Sequence, residues 1–532
     1  MRNVKPFRHF TEFIRSQNAT FDASSPSYKW WVLLNVMIGT FMAVLDATIV
    51  NVGLPKIMAS FGVGIDKIEW VLTAYMLAMA VMLPTSGWMA DKFGYKRVYF
   101  LGLFLFTLGS FMCGYSGTEN MLILSRVVQG LGAGAIMPVG MAIVTREFPQ
   151  EQRGIALGFW SIASAASVSF GPLIGGYLVD NFSWPLIFDV NVPVGIAGLL
   201  ATAIIQKEYR HPNIKKFDPV GFLSVSIFLP FLLYGLTEGS ATTNSAGWHA
   251  PIVLISFGIA TIALAVFLVT ELTIDNPLID LSLFKTYNFA ISNLVMFIFG
   301  IGMFGSTFLL PLYLQNSLGY TAIQAGAVFL PVGLIQGIVA PMAGLSSTRI
   351  NMKIPIILGA ILLAISFYMN SLMSVYTEHS FIMITLYLRG VAMGMMFAPL
   401  TAAATFGIPR DKMGQASGLI NVIRQVGGSF GVALLATNLS TRVIYHAQVF
   451  GEGLQANSPL YSKVVTNLGS YITHNAGSVA AIAGRQGQYL LMANLNKQAF
   501  VQAVCDDFYL AALITVVSMI PVFFLRLKKK TL

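Results

Sequence analysis

Apolar runs of roughly twenty residues recur along this 532-residue chain, and a helix of about that length crosses the ~30 Å hydrocarbon core of a bilayer. We read fourteen of them, near residues 31–54, 70–90, 98–116, 121–144, 154–179, 185–206, 218–237, 250–270, 288–314, 322–345, 354–373, 380–401, 413–436 and 504–526. The runs are too long and too little alternating for barrel strands, so helices must close the backbone hydrogen bonds in lipid. Only 10% of residues are charged and 56% are hydrophobic. A soluble domain carries about 25% charged residues, so most of this chain's outer surface must face lipid. The expected fold is an all-α polytopic membrane protein.

Lys and Arg orient the spans. With the N-terminus inside, 23 of the 32 basic residues fall in cytoplasmic segments, six in outer loops and three within helices. The net charge of +10 is therefore a topology signal and not a nucleic-acid surface. Both termini are expected in the cytoplasm and the chain in the cell inner membrane. The first thirty residues lack an early apolar core and cleavage site, so the run starting at Trp30 is expected to insert uncleaved. Cys113 and Cys505 suggest neither a disulfide framework nor a metal cluster, and the six histidines have no ligand spacing. No GxxxxGK[ST] loop occurs, which argues against direct ATP drive. No cofactor and no enzymatic activity are expected.

The fourth run contains Arg126, Gly130, Gly134 and Pro138, and the twelfth contains Arg389, Gly390, Gly394 and Pro399. The second holds Pro84 and Gly87 where the tenth holds Pro341 and Gly344. Both matches skip eight helices, which gives two six-helix halves and a two-helix insert. The expected organisation is a cytoplasmic segment 1–30, an N-terminal half 31–206, an insert with flanking loops 207–286, a C-terminal half 287–526 and a basic tail 527–532. A long outer connection, 437–503, lies inside the second half. Its stretch Gln486–Ala503 reads either as a helix extending the last span or as part of a mobile loop. Asp218 before Pro219 reads as a helix start at the insert.

Several motifs carry a family likeness. They are Gly87-Trp88-Met89-Ala90-Asp91-Lys92-Phe93-Gly94-Tyr95-Lys96-Arg97 between helices two and three, Leu45-Asp46-Ala47-Thr48-Ile49-Val50-Asn51-Val52-Gly53-Leu54-Pro55 in helix one, and Arg126-Val127-Val128-Gln129-Gly130 in helix four. Gly171-Pro172-Leu173-Ile174-Gly175-Gly176 follows in helix five, with Asn191-Val192-Pro193, Pro311-Leu312-Tyr313-Leu314-Gln315 and Arg424-Gln425-Val426-Gly427-Gly428 beyond. Over residues 30–436 the chain resembles the major facilitator superfamily, in its fourteen-helix drug:proton antiporter branch (EmrB/QacA type). The second-half copy of the loop signature departs from it, with Thr348 and Asn351 where Asp91 and Gly94 would fall and with Arg349 and Lys353 kept basic.

Each intramembrane charge needs a reason, because it costs several kcal/mol unless it faces protein or water. Asp46 and Arg126 lie at similar depths and read as a proton-coupling pair, against the alternative of a fixed structural ion pair. Gly87, Asp91, Gly94, Lys96 and Arg97 read as a cytoplasmic gate latch, or else as a turn that only sets topology. Gly171, Pro172, Gly175 and Gly176 read as a gating segment in which proline interrupts helix five and glycines allow close packing. Tyr75, Gln129, Asn293, Gln336 and Phe397 are substrate-site candidates, since they lie in helices expected around a central path; Arg389 and Arg424, buried charges of the second half, read as further substrate contacts or else as internal packing.

The resemblance implies proton-driven export of drugs or other lipophilic toxic compounds by alternating access. Export of an endogenous lipid, siderophore or metabolite fits the same fold, and a non-transport membrane sensor is a third reading. Partners implied are a small-molecule substrate, protons and the lipid bilayer. In a host with two membranes they include a periplasmic adaptor and an outer-membrane channel.

Overall fold

The computed structural model describes residues 25–526 except 26, 64, 210–217, 241–243, 245, 275–276, 278–279, 350, 410–411, 453–458 and 477–479. The first 24 residues and the 527–532 tail therefore lie outside the described residues. Every described element is helical. The first half comprises α1 (Tyr28–Phe61), α2 (Ile65–Phe93), α3 (Tyr95–Gly114), α4 (Glu119–Glu147), α5 (Arg153–Asn181) and α6 (Asn191–Ile205), the last preceded by a short helix Leu186–Asp189. The insert is α7 (Pro219–Ser240) and α8 (Pro251–Thr273). The second half holds α9 (Tyr287–Leu318), α10 (Leu330–Arg349) after a short helix Ala322–Ala327, α11 (Lys353–Asn370), α12 (His379–Ala404), α13 (Met413–Glu452), α14 (Pro459–Ala476) and α15 (Ala480–Phe523).

Among the described residues, twelve helices are long and apolar enough to cross a membrane, or thirteen when the two arms of α2 count as one span. Those arms, Trp70–Leu83 and Thr85–Phe93, meet at 52°, with Pro84 between them, where a proline removes one backbone bond. The chain is thus a multi-span membrane protein, and the fourteen spans read from sequence exceed this count. Helix ends follow local chemistry. α1 and α9 stop at Gly62 and Gly319, both in the left-handed region. The Asp218 carboxylate accepts from the Gly221 amide (2.8 Å) at the start of α7.

The segment 437–503 is helical wherever it is described, as the ends of α13 and α15 and all of α14, which packs on α15. Gln486–Ala503 lies within α15. α5 runs through Gly171–Gly176 as one continuous helix, so the interruption expected there is absent from its helical path. Of Pro172 only the backbone is described.

The packing repeats. α1 lies on α5, α2 on α4, and α3 on α4 and α6; correspondingly α9 lies on α13, α10 on α12, and α11 on α12 and α15. The Lys96 ammonium donates to the Ala203 carbonyl (2.7 Å) near the end of α6, and Lys353 donates to the Phe523 carbonyl (2.8 Å) at the end of α15. The halves meet along α5–α10 and α2–α13, contacts that are images of each other under the repeat, as are α4–α13 and α5–α12. The insert breaks this symmetry, because α7 packs against α2 and α13 as well as against its own partner α8. The α5–α10 seam keeps an apolar recess of about 260 Å³, lined by Ile162, Ala166, Phe170, Leu334 and Ile338 among others.

Two features hold the face that carries the 148–152, 206–209 and 405–412 connections, called here the basic face. One is close backbone approach along the α5–α10 seam. A Cβ at Gly344 would meet the Gly154 carbonyl oxygen at 2.2 Å, and one at Gly158 would meet the Ala340 carbonyl at 2.7 Å. The other is the Lys412–Asp280 ion pair (2.6 Å), which ties the α12–α13 connection to the segment before α9. Burial alone would raise the Asp280 carboxyl, but hydrogen bonds from Lys412 and Ser282 outweigh it and lower the group.

Gly344→Val is expected to lose about 1–3 kcal/mol through overpacking against a backbone that cannot yield. Gly258→Ala, with nothing within 4 Å of its added Cβ, should melt like native protein. Because folding lowers the Asp280 carboxyl, its stabilisation is present above about pH 4, the ordinary carboxylate value, and is lost as pH falls through the lower folded value. The deficit of Asp280→Asn in thermal melting should therefore be full near neutrality and close in acid.

Candidate functional site

Asp46 sits 18 residues into α1 from Tyr28, roughly 27 Å along the axis, and is fully buried. Both carboxylate oxygens are occupied. Arg126 Nη1 donates to Oδ2 at 2.5 Å. Gln129 Nε2 donates to Oδ1 at 2.8 Å, and Asn191 Nδ2 donates to the same oxygen at 3.2 Å. Arg126 and Gln129 are one turn apart on α4, where they share a face, and they are joined by a 2.6 Å bond from Nη1 to Oε1.

The guanidinium is held on its other sides. Arg126 Nε donates to the Val71 carbonyl (3.0 Å) on α2, and Tyr75 lays its ring 4.1 Å from the guanidinium carbon. Tyr75 in turn donates its hydroxyl to the Ala43 carbonyl (3.1 Å) on α1. Ser110 of α3 accepts from Gln129 (3.0 Å) and Asn191 (3.1 Å) and donates to the Phe188 carbonyl (2.9 Å). Helices α1, α2, α3, α4 and α6 thus converge on one ion pair with zero exposure at Asp46, Arg126 and Gln129. In that environment the charges attract strongly, because little solvent screens them. Adding a proton to Asp46 would remove the negative partner and leave Arg126 with neutral acceptors.

Asp46 and Arg126 are brought together as their depths implied. Tyr75 and Gln129, read as substrate contacts, belong to this same cluster. Asn191 and Ser110 were not singled out as site residues. Asn191 lies inside the quoted Asn191-Val192-Pro193 motif, whereas nothing marks Ser110 among the chain's many serines.

A second group lies where α4 and α5 meet α13 and α12. Trp160 on α5 is fully buried, donates its indole N–H to Thr40 (2.8 Å) on α1 and stacks on Phe397 of α12 at 6.2 Å. The Arg424 guanidinium lies 5.5 Å from the same Phe397 ring and donates to Asn421 Oδ1 (2.8 Å). Asn421 reaches across to Met141 Sδ on α4 at 3.6 Å. Thr40 precedes Asp46 by six residues, roughly 9 Å along α1, so the two groups are separated along that helix by less than two turns. Trp160 escaped the sequence reading because nothing distinguishes an inward Trp from a lipid-facing one in an apolar run.

The other candidates lie apart. Arg389 on α12 donates to the Met303 carbonyl (3.2 Å) and lies 5.5 Å from the Phe367 ring, both in the second half. Asn293 is buried on α9 and donates to the carbonyl of Phe289, one turn before it (2.8 Å). Gln336 is buried on α10.

The loop signature packs on the end of its own half. Gly94 has φ +103°, and a Cβ there would strike the Glu208 carboxylate, so only glycine fits that turn without strain. Glu208 pairs with Arg97 at 3.3 Å. Asp91 accepts from the Tyr95 hydroxyl (2.7 Å) of the same segment. Gly87 lies in the second arm of α2, and the start of α13 comes close to that helix, with a Cβ at Gly418 placed 3.4 Å from the Leu83 carbonyl. In α5, Gly171 faces Thr48, Gly175 faces Ile49, and Gly176 faces Ile323 of the other half.

The chain is similar to known proteins. The family model described as Major Facilitator Superfamily matches residues 36–432. The multidrug export protein EmrB of Haemophilus influenzae is 31% identical over 487 residues, covering 90% of this chain and 92% of that protein. EmrB of Escherichia coli K12 is 32% identical over 461 residues, covering 85% and 88%. The crystal structure of the human organic anion transporter MFSD10 superposes with a TM-score of 0.59 at 14% identity, covering 94% of this chain and 100% of that one, a likeness of fold. With two packed halves related by a repeat and a family match across most of both, the chain belongs to the Major Facilitator Superfamily of membrane transporters.

Proposed function

We propose that the protein is a proton-driven antiporter that exports drugs or other lipophilic toxic compounds by alternating access. The observation that supports this most is the buried Asp46–Arg126 pair, whose carboxylate is bonded through both oxygens inside the membrane-spanning bundle. A static pair of that kind earns little stability, because desolvation offsets most of its attraction. A pair whose charge changes during a cycle uses the same cost, since each protonation state favours a different packing of α1 against α4. Lying over Tyr75 and held by Val71, Arg126 stays in place when Asp46 is neutral, and Gln129 and Asn191 keep the carboxyl oriented.

The substrate would sit beside the pair, against Trp160, Phe397 and Arg424. An aromatic stack suits flat lipophilic compounds. Around Arg424 the described contacts are an amide and a ring, neither charged, which favours neutral or anionic molecules over cations. The relatives named as multidrug export proteins support the drug reading. The basic face would be cytoplasmic by the positive-inside rule, which puts both chain ends inside, the outer parts of α13 and α15 together with α14 in the periplasm, and the protein in the inner membrane. In that orientation Gly87, Asp91, Gly94, Lys96 and Arg97 form the cytoplasmic gate beside the start of α13. Gly171, Pro172, Gly175 and Gly176 let α5 slide on α1 and on the other half. A periplasmic adaptor would meet the protein at α14 and the extended α15.

Proteoliposomes test the mechanism. A panel of lipophilic cations, anions and neutral drugs should include compounds that trigger proton movement. Asp46→Asn should cut that movement by at least about tenfold, equivalent to about 1.4 kcal/mol, while substrate binding persists. Proton movement of native size in Asp46→Asn would remove Asp46 from the coupling role.

A further inference from the structure

A second carboxylate is buried in the other half. Asp507 on α15 has zero exposure. Its Oδ1 accepts from Asn438 Nδ2 at 2.6 Å, while its Oδ2 is buried with no hydrogen-bond partner. A carboxylate with one oxygen buried away from any hydrogen-bond donor of the protein pays a large desolvation cost. The protonated acid leaves a neutral group unpaired instead, at far lower cost. Asp507 precedes Phe523 by 16 residues, roughly 24 Å along α15, which places it toward the face opposite the basic one.

Ionisable groups link this buried acid to that face. Asn438, Arg442 and His446 recur every fourth residue on α13 and share a stripe turned toward α15. His446 Nε2 lies 2.8 Å, and Arg442 Nε 3.6 Å, from Oδ2 of Asp506, the residue next to Asp507. The Asp506 side chain is 30% exposed, that of Arg442 46% and that of His446 13%, so the group grades from solvent to interior. The remaining neighbours are neutral. Cys505 donates to the Met373 carbonyl (3.1 Å), Tyr313 of α9 donates to the Ser374 carbonyl (2.6 Å), and α11 presents Phe367 to Phe508. The charged and titratable groups around Asp507 are therefore Asp506, Arg442, His446, Cys505 and Tyr313. Arg442 and His446 are both already engaged with Asp506.

We propose that Asp507 is a second proton-binding site, loaded from the face opposite the basic one through the Asp506–His446–Arg442 group. The proposal rests on the proton-driven reading for its place in transport, but not for the site itself. Protonated Asp507 is compatible with the close α13–α15 packing seen here. The deprotonated form requires water or a new donor at Oδ2, and so requires those helices to part. A second titrating carboxyl outside the Asp46 pair would let each cycle draw on more than one proton.

The test uses the full chain carrying Asp46→Asn, so that Asp46 contributes no carboxyl signal. Infrared difference spectra between about pH 5 and about pH 9, a range wide enough to bracket a perturbed acid, should show a protonated-carboxyl band. Asp507→Asn should remove that band, Asp507→Glu should keep it at a shifted frequency, and Asp506→Asn should leave it in place. A band untouched by Asp507→Asn overturns the proposal, and so does a band lost equally in Asp506→Asn or in Asp507→Glu. In proteoliposomes of otherwise native protein, Asp507→Asn should lower the number of protons moved per substrate. If native protein moves no protons with any substrate while the Asp507 band persists, the antiport reading fails and the site stands.

Discussion

One ion pair organises the first half of this protein. Asp46 and Arg126 are both fully buried, and each is expensive in lipid alone. Together they recruit Gln129, Asn191, Ser110, Tyr75 and the Val71 carbonyl, so that five helices take their register from one carboxylate and one guanidinium. Small residues make that convergence possible. Gly130 and Gly134 bring α4 against the backbone of α2, and Gly109 brings α3 against α4 at Gln129. Removal of the negative charge would alter the balance of the whole half and not of one contact.

The second half repeats the packing without repeating the chemistry. Arg389 occupies the arginine position of the repeat, but where Arg126 meets Asp46, the described hydrogen bond of Arg389 goes to the Met303 carbonyl. The insert adds a further asymmetry, covering the α2–α13 seam and leaving the α5–α10 seam with its apolar recess. The two halves are thus alike in packing and unlike in the partners of their buried arginines.

Much of this was legible in the sequence, for reasons that also explain what was not. Charge scarcity forces lipid exposure, and the apolar runs mark where helices lie. Their ends were less legible, because α1 continues past residue 54 to Phe61 and α13 past 436 to Glu452. Asp46 and Arg126 stood out because intramembrane charges are rare and must be compensated. Gln129 looked like a pocket residue, since a neutral amide gives no sign of whether it faces substrate or an ion pair. Ser110 and Trp160 carry no signal in one sequence; only the fold shows which serine and which tryptophan turn inward. The interruption expected at Pro172 did not appear as a break in α5.

The central proposal is that the charge on Asp46 drives alternating access, by changing how α1 packs against α4 and with it how the first half sits on the second. Spin labels placed by Ser60→Cys at the end of α1 and Asn316→Cys at the end of α9 would report the separation of the halves on the face opposite the basic one. Both native cysteines are buried and free, which limits background labelling. Pulsed dipolar distances measured across pH should shift in the native background and stay at the low-pH value at every pH with Asp46→Asn. A distance that shifts with pH equally in both backgrounds would contradict the account.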